Sequence, residues 1–182
     1  MKYSMDFKQY VIHIISDNYN FGCGVLVGHS FITAGHVIEE SVNPRIKLSD
    51  DTIFLTNPIV FHNDNYAEGY DIAVYNISEA NSPLQLASSL PLSGDNLKSC
   101  SWRVIPEGNE YLECNAVAKE LQEGNYFYCD TDVLLKPGCS GSPIFKEGKV
   151  IGILAKGQEG TSLCAFLSAK AILKILRTRY NL

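Results

Sequence analysis

At 182 residues with 46% hydrophobic content, the chain can bury the core of one compact domain or of two small barrels sharing a cleft. A formal charge of −5 with no basic stripe argues against nucleic acid as the main partner. No run approaches the ~20 apolar residues that span a bilayer, so no membrane partner is expected. The first twenty residues carry Lys2, Asp6, Lys8 and Asp17 around a short apolar run, which is not the uncharged centre of a secretory signal. The six cysteines (Cys23, Cys100, Cys114, Cys129, Cys139 and Cys164) show no Cys-x-x-Cys spacing. A zinc site is therefore not expected, no other cofactor is expected either, and free thiols in a cytoplasmic protein are the default reading.

In chain order, residues 10–16 are apolar and β-branched and read as a first strand. Residues 21–27 and 30–34 follow as strands, separated by a hairpin-like break at Gly28-His29. Residues 45–48, 53–61 and 72–77 continue the pattern and complete a first barrel. A Ser/Pro/Leu-rich stretch, 79–94, reads as a crossover. Residues 102–105, 111–118, 125–131, 142–145, 149–155 and 162–168 supply the strands of a second barrel, with Glu147-Gly148 as a tight turn. Ile172, Leu173, Ile175, Leu176 and Tyr180 recur at helical spacing, so 169–180 reads as a terminal helix with Ser168 as N-cap. Its Lys170, Lys174, Arg177 and Arg179 read as a solvated face that suits the helix C-terminus.

The chemistry concentrates in three segments. Residues 131–143 place Ser140 between Gly138-Cys139 and Gly141, with Pro143 three residues on. The glycines let the backbone turn tightly around an exposed hydroxyl and point successive amides into one concavity, which suits a developing oxyanion. In residues 31–37, a hydrophobic run ends in small residues and then presents His36. In residues 70–75, Asp71 precedes an apolar run. A serine hydroxyl is a poor nucleophile until a histidine takes its proton and a carboxylate holds that histidine in the right tautomer.

The other candidates have plainer readings. His13 lies inside a strand pattern, His29 in a turn and His62 in a polar loop where it is expected to face solvent. Asp132 reads as structural, bonding loop amides. Cys139 adjoins the serine, but the flanking glycines put Ser140 at the elbow, so Cys139 reads as a packed thiol.

These segments resemble a trypsin-like serine peptidase, and within it the HtrA-type and glutamyl-endopeptidase branches. Gly22-Cys23-Gly24-Val25 resembles the strand before the histidine, Thr33-Ala34-Gly35-His36-Val37 the histidine box, and Asp71-Ile72-Ala73-Val74 the aspartate motif. Residues 131–143 resemble the serine loop without a gap, and the likeness spans about residues 9–180. The order His, Asp, Ser is the one this fold uses. The resemblance implies an all-β fold of two six-stranded antiparallel β-barrels, chymotrypsin-like, with a C-terminal α-helix. The first barrel would occupy residues 1–85, carrying His36 and Asp71, and the second 86–182, carrying Ser140.

Departures from the family pattern matter too. Position 139 is Cys, where digestive relatives carry an Asp that pairs with a newly cut N-terminus, so activation of that kind is not expected. Val37 follows His36 directly, so the cysteine pair that brackets the histidine loop in secreted relatives is missing, and no PDZ-like module follows the peptidase segment, so regulation by such a module in cis is not expected.

The resemblance implies a serine endopeptidase acting on polypeptides. Ser140 is the nucleophile, His36 the base, Asp71 its orienting group, and the amides of Gly138 and Ser140 form the oxyanion hole. Leu134 would form the floor of the specificity pocket, with Ala155, Lys156, Gly157 and Cys164 as its walls. Apart from Lys156 at the rim these are apolar or small, so a buried charged substrate side chain would lack a partner and a small-to-medium apolar residue is the expected guest. The substrate would add as a strand along residues 154–157. Two other readings stand beside this one: a pseudo-protease or peptide-binding module, and a processing or defence protease dedicated to one partner.

Overall fold

The computed structural model describes residues 6–19, 21–64, 66–133, 135, 138–157 and 161–180, the side chains to 178. The first half contains β1 (Val11–Ile14), β2 (Gly22–Val27), β3 (Ser30–Thr33), a short helix α1 (Gly35–Glu40), β4 (Arg45–Leu48), β5 (Asp51–Phe54), β6 (Val60–Asn63) and β7 (Asp71–Asn76). The second contains β8 (Asn96–Ile105), β9 (Gly108–Glu123), β10 (Tyr126–Thr131), β11 (Pro143–Lys146), β12 (Lys149–Gly157), β13 (Leu163–Ser168) and the helix α2 (Ala169–Tyr180). The fold is chymotrypsin-like and mostly β, as expected.

The two halves are built differently. In the first, a five-stranded sheet runs β1-β2-β3-β7-β6, and β4-β5 forms a separate two-stranded ribbon. The ribbon joins the sheet through paired backbone bonds between Ile15 and Arg45. In the second, β10-β13-β12-β11-β8-β9 closes into a barrel. The strands named above pair antiparallel, some through hairpins such as Ser30↔Val27 and Ile105↔Gly108, and an isolated parallel bridge joins Leu86 to Val150.

One core lies within each half. Ile14, Phe31, Ile46 and Ala73 centre the first. Phe127, Ile144, Ile151 and Phe166 centre the second. A third cluster crosses between them, joining Val25, Ile32 and Val74 to Phe145, Ile153 and Leu167. At the seam, Trp102 Nε1 donates to Val11 O at 2.7 Å, Tyr126 Oη donates to Asp64 O at 3.2 Å, and Asn125 N donates to Ala67 O at 2.9 Å. Burial of this shared apolar surface is what fixes the cleft between the halves.

The terminal helix forms as its sequence predicts. Ser168 caps it, accepting from Ala171 N at 3.0 Å, and Ile172 and Ile175 are buried while Lys170, Lys174 and Arg177 are exposed. Among the described residues no helix is long and apolar enough to cross a membrane.

Candidate active site

His36 enters the cleft because α1 begins where β3 ends. Ala34 stays extended (φ −76°, ψ 138°) and the next residues turn into one short helix. Gly35 is required there, since a Cβ would overlap the carbonyl of His62 on the adjacent strand. Asp71, the first residue of β7, then meets His36 at two points. Its Oδ1 accepts from the His36 backbone N–H at 2.8 Å, satisfying an amide that a helix start leaves without an intrahelical partner. Its Oδ2 lies 2.6 Å from His36 Nδ1.

The Asp71 side chain is 2% exposed and that of His36 is 23% exposed. The carboxylate assigns the proton to Nδ1 and leaves Nε2 as the acceptor. Burial works against the charged ring. The hydrogen bond and charge of Asp71, with a smaller pull from Glu40, outweigh it and hold the His36 pKa above the ordinary value of 6.5.

The serine loop docks on the same helix start. Gly141 has φ +88°, and a Cβ there would overlap the Cys23 carbonyl and the Thr33 hydroxyl and lie 3.1 Å from Ala34 N. Only glycine fits both the torsion and the space. Cys23 N donates to Ser140 O at 2.9 Å, Gly141 N to Leu154 O at 2.8 Å, and Leu154 N to Ser142 O at 2.8 Å. The loop is thereby sewn to β2 on one side and to β12 on the other. Gly138 takes the left-handed torsion expected of it, φ +103°. Among the described residues no hydrogen bond joins the Ser140 hydroxyl to His36. Cys139 is 1% exposed and packs in the core of the second barrel, as a structural thiol should.

Of the expected pocket residues, Leu134 lies outside the described residues. Ala155 and Cys164 are buried, Lys156 and Gly157 exposed. β12 and β13 place Gly157 opposite Cys164 and Lys156 opposite Ala165. A Cβ on Gly157 would sit 3.9 Å from Cys164 Sγ and 3.7 Å from the Leu135 carbonyl, so these three groups border one space. Beyond Leu154, which still bonds Gly141 and Ser142, β12 pairs only with β13 among the described residues, so its segment from Ala155 to Gly157 has no second strand partner among them.

Some neighbours of the site carried no sequence signal. A cavity of about 50 Å³ is lined by Ala67, Asp71, Tyr126, Tyr128, Ala155 and Lys156, among others. Its tyrosines come from β10 and line the same space as Asp71 because the two halves meet there. His62, expected in solvent, is half-buried: it lies in β6 and its ring tilts against Tyr70. Asp132 is structural, but it bonds a strand rather than loop amides: it accepts from Asn115 N at 2.9 Å and Asn115 Nδ2 at 3.1 Å, both in β9. The six cysteines are free and buried.

A histidine oriented by a buried carboxylate, beside a serine held in a glycine-flanked loop, is equipment for nucleophilic acyl transfer. The chain belongs to the trypsin-like peptidase family, whose domain matches residues 22–153. Solved structures of that fold superpose over nearly its whole length. The active form of the Rv3671c protease from M. tuberculosis matches with a TM-score of 0.75 at 18% identity, covering 96% of this chain and 82% of that one. The scabies mite inactivated protease paralogue S-I1 matches at 0.77 and 12% identity, with 94% of each chain covered. A kallikrein-related peptidase 10 complex with Zn2+ matches at 0.71 and 15% identity, covering 93% and 94%. No curated protein matches the chain in sequence.

Proposed function

We propose that the chain is a serine endopeptidase that cleaves polypeptides after small-to-medium apolar residues, working in the cleft between an N-terminal domain of residues 1–85 and a C-terminal domain of 86–182. The observation that carries this reading is the two-point grip of Asp71 on His36, at 2.8 and 2.6 Å, beside the Ser140 loop. A carboxylate that fixes both the backbone and the ring of one histidine sets its tautomer and its aim, and a general base needs both.

Ser140 attacks the substrate carbonyl as His36 Nε2 takes its proton. The backbone amides of Gly138 and Ser140 receive the oxyanion, a donor of this kind being worth about 3–4 kcal/mol of barrier. The imidazolium, stabilised by Asp71, returns the proton to the leaving amine. Water then repeats the cycle on the acyl-enzyme. The scissile segment pairs with β12 between Ala155 and Gly157, as an added strand. Buried Ala155 and Cys164 offer no counter-charge to the side chain before the cut, whereas the exposed Lys156 borders the rim.

Fluorophosphonate labelling tests the assignment. The wild-type chain should be labelled and should hydrolyse peptides; Ser140→Ala should do neither, and Cys139→Ala should keep its label. A wild-type protein that folds, binds peptides and takes no label would instead favour the binding-module reading. In a peptide library, dominant cleavage after Arg, Lys or Glu would refute the apolar pocket.

A further inference from the structure

A run of neutral side chains lies beneath the Ser140 loop, and the mechanism above makes no use of it. The Ser142 hydroxyl donates to the Cys139 carbonyl, which also accepts from Ser142 N at 3.0 Å. Ser142 Oγ is 2.7 Å from Ser101 Oγ, which is 3.5 Å from Cys23 Sγ. Trp102 N–H donates to that sulfur at 3.3 Å, and the thiol also lies 4.0 Å from Gly138 O. These groups come from β2, from β8 and from the residue just before β11, and Cys23, Ser101 and Ser142 are all 1% exposed or less.

Counting hydrogens gives the run a direction. Each hydroxyl and thiol has one to donate. The Ser142 proton goes to Cys139 O, so the Ser101 proton goes to Ser142 Oγ. The Cys23 thiol meets Ser101 Oγ at 3.5 Å and has the carbonyls of Trp102, at 3.3 Å, and Gly138, at 4.0 Å, as further acceptors, while Trp102 N–H serves the sulfur. The run therefore ends on the Cys139 carbonyl. That carbonyl shares one planar trans peptide with the Ser140 N–H, and in such a unit the C=O and N–H point opposite ways. Two donors that anchor the carbonyl inward turn the amide outward, and polarising the carbonyl strengthens the amide as a donor.

We propose that Ser142, backed by Ser101 and Cys23, is a positioning residue that aims the Ser140 amide at the oxyanion. This rests on the serine-peptidase reading, and it gives the loop an uncharged anchor beside a position occupied by buried Cys139.

Ser142→Ala should lower kcat by about tenfold or more, short of the hundredfold or greater loss seen when an oxyanion donor is removed outright. KM should stay within about twofold and the pH limb set by His36 should not move. Cys23→Ala should lose less activity, and Cys23→Ser should recover part of that loss. Adding Ser101→Ala to Ser142→Ala should change little, because both cut the same run. Unchanged kcat with a lowered melting temperature would make the run merely structural and overturn the proposal. The Ser140 amide resonance, followed by 1H–15N NMR, supplies an arm that needs no turnover. It should shift in Ser142→Ala, and an unmoved amide overturns the proposal. A wild-type chain silent toward fluorophosphonate would sink the peptidase reading alone, with the amide shift still deciding this one.

Discussion

The two walls of the cleft are held by different physics. On the His36 side the fixing interaction is ionic: a buried carboxylate grips a ring whose pKa it holds above the ordinary value. On the Ser140 side the loop is held by backbone bonds to β2 and β12 and by hydroxyls and a thiol, none of them charged at neutral pH. Burial pushes the Cys23 thiol up, despite hydrogen bonds from its neighbours that act the other way. In the proposed mechanism His36 changes charge during turnover, so its partner must be a charge that stabilises the cation. The loop must keep one shape while charge appears on the substrate, and neutral bonds do that without titrating. A variant that alters charge should therefore act through the first wall, and one that alters shape through the second.

The largest effect should come from neutralising the first wall. Asp71→Asn keeps the volume but presents an amide where two donors converge, so the His36 ring turns to the wrong tautomer. With activity measured as kcat, we expect a loss of roughly 10³–10⁴ while the fold persists. A loss below about tenfold would mean that the grip of Asp71 is only structural and would erase the contrast between the walls.

The second wall should break through shape. Gly141→Ala forces a Cβ into the Cys23 carbonyl at a left-handed torsion. It should cost about 2–4 kcal/mol in urea unfolding, combining torsional strain with overpacking. Gly148→Ala is the control, since φ there is +82° but nothing lies within 4 Å of the added atom. It should cost only about 1–2 kcal/mol. Equal costs at the two sites would show that the serine loop is not tightly docked on the start of α1.

The two walls were also unequally legible in the sequence. The expected strands from 21–27, 30–34 and 149–155 fall close to the observed ones, because apolar β-branched runs bounded by glycine leave few alternatives. The segment 53–61 is in fact two strands, split where Asn57 takes φ +55° just before Pro58, a break that proline alone should have signalled. The β8–β9 hairpin extends well past the expected 102–105 and 111–118, since its charged outer residues hide the alternation. Helix α1 was not foreseen. Six residues with Val37 and Ile38 at their centre carry little helical signal, and tertiary contacts at Gly35 decide the matter. Candidate triad residues could be picked out because each sits in a distinctive local string. The Ser142–Ser101–Cys23 run could not, because it joins small residues up to 119 positions apart that look ordinary one at a time.

The smallest expected effect is the pH response, and it separates the walls most cleanly. In the proposed mechanism His36 must be neutral to accept the Ser140 proton, so kcat/KM should rise with pH through the His36 pKa. Because Asp71 and Glu40 hold that pKa above 6.5, the midpoint of the rise should lie above 6.5, and at pH 6.5 less than half of the maximal rate should remain. The stability linkage has the opposite sense. A histidine whose folded pKa is raised contributes its stabilisation fully below the unfolded value and loses it as pH climbs through the folded one. Activity should therefore grow over the same window in which this share of stability fades. Asp71→Asn should move the midpoint down, because burial then acts on the ring without the carboxylate. Ser142→Ala should leave the midpoint in place, since the groups it touches do not titrate in this range. A midpoint that follows Ser142→Ala would mean the loop and the base share one electrostatic unit, and the division between the walls would be wrong.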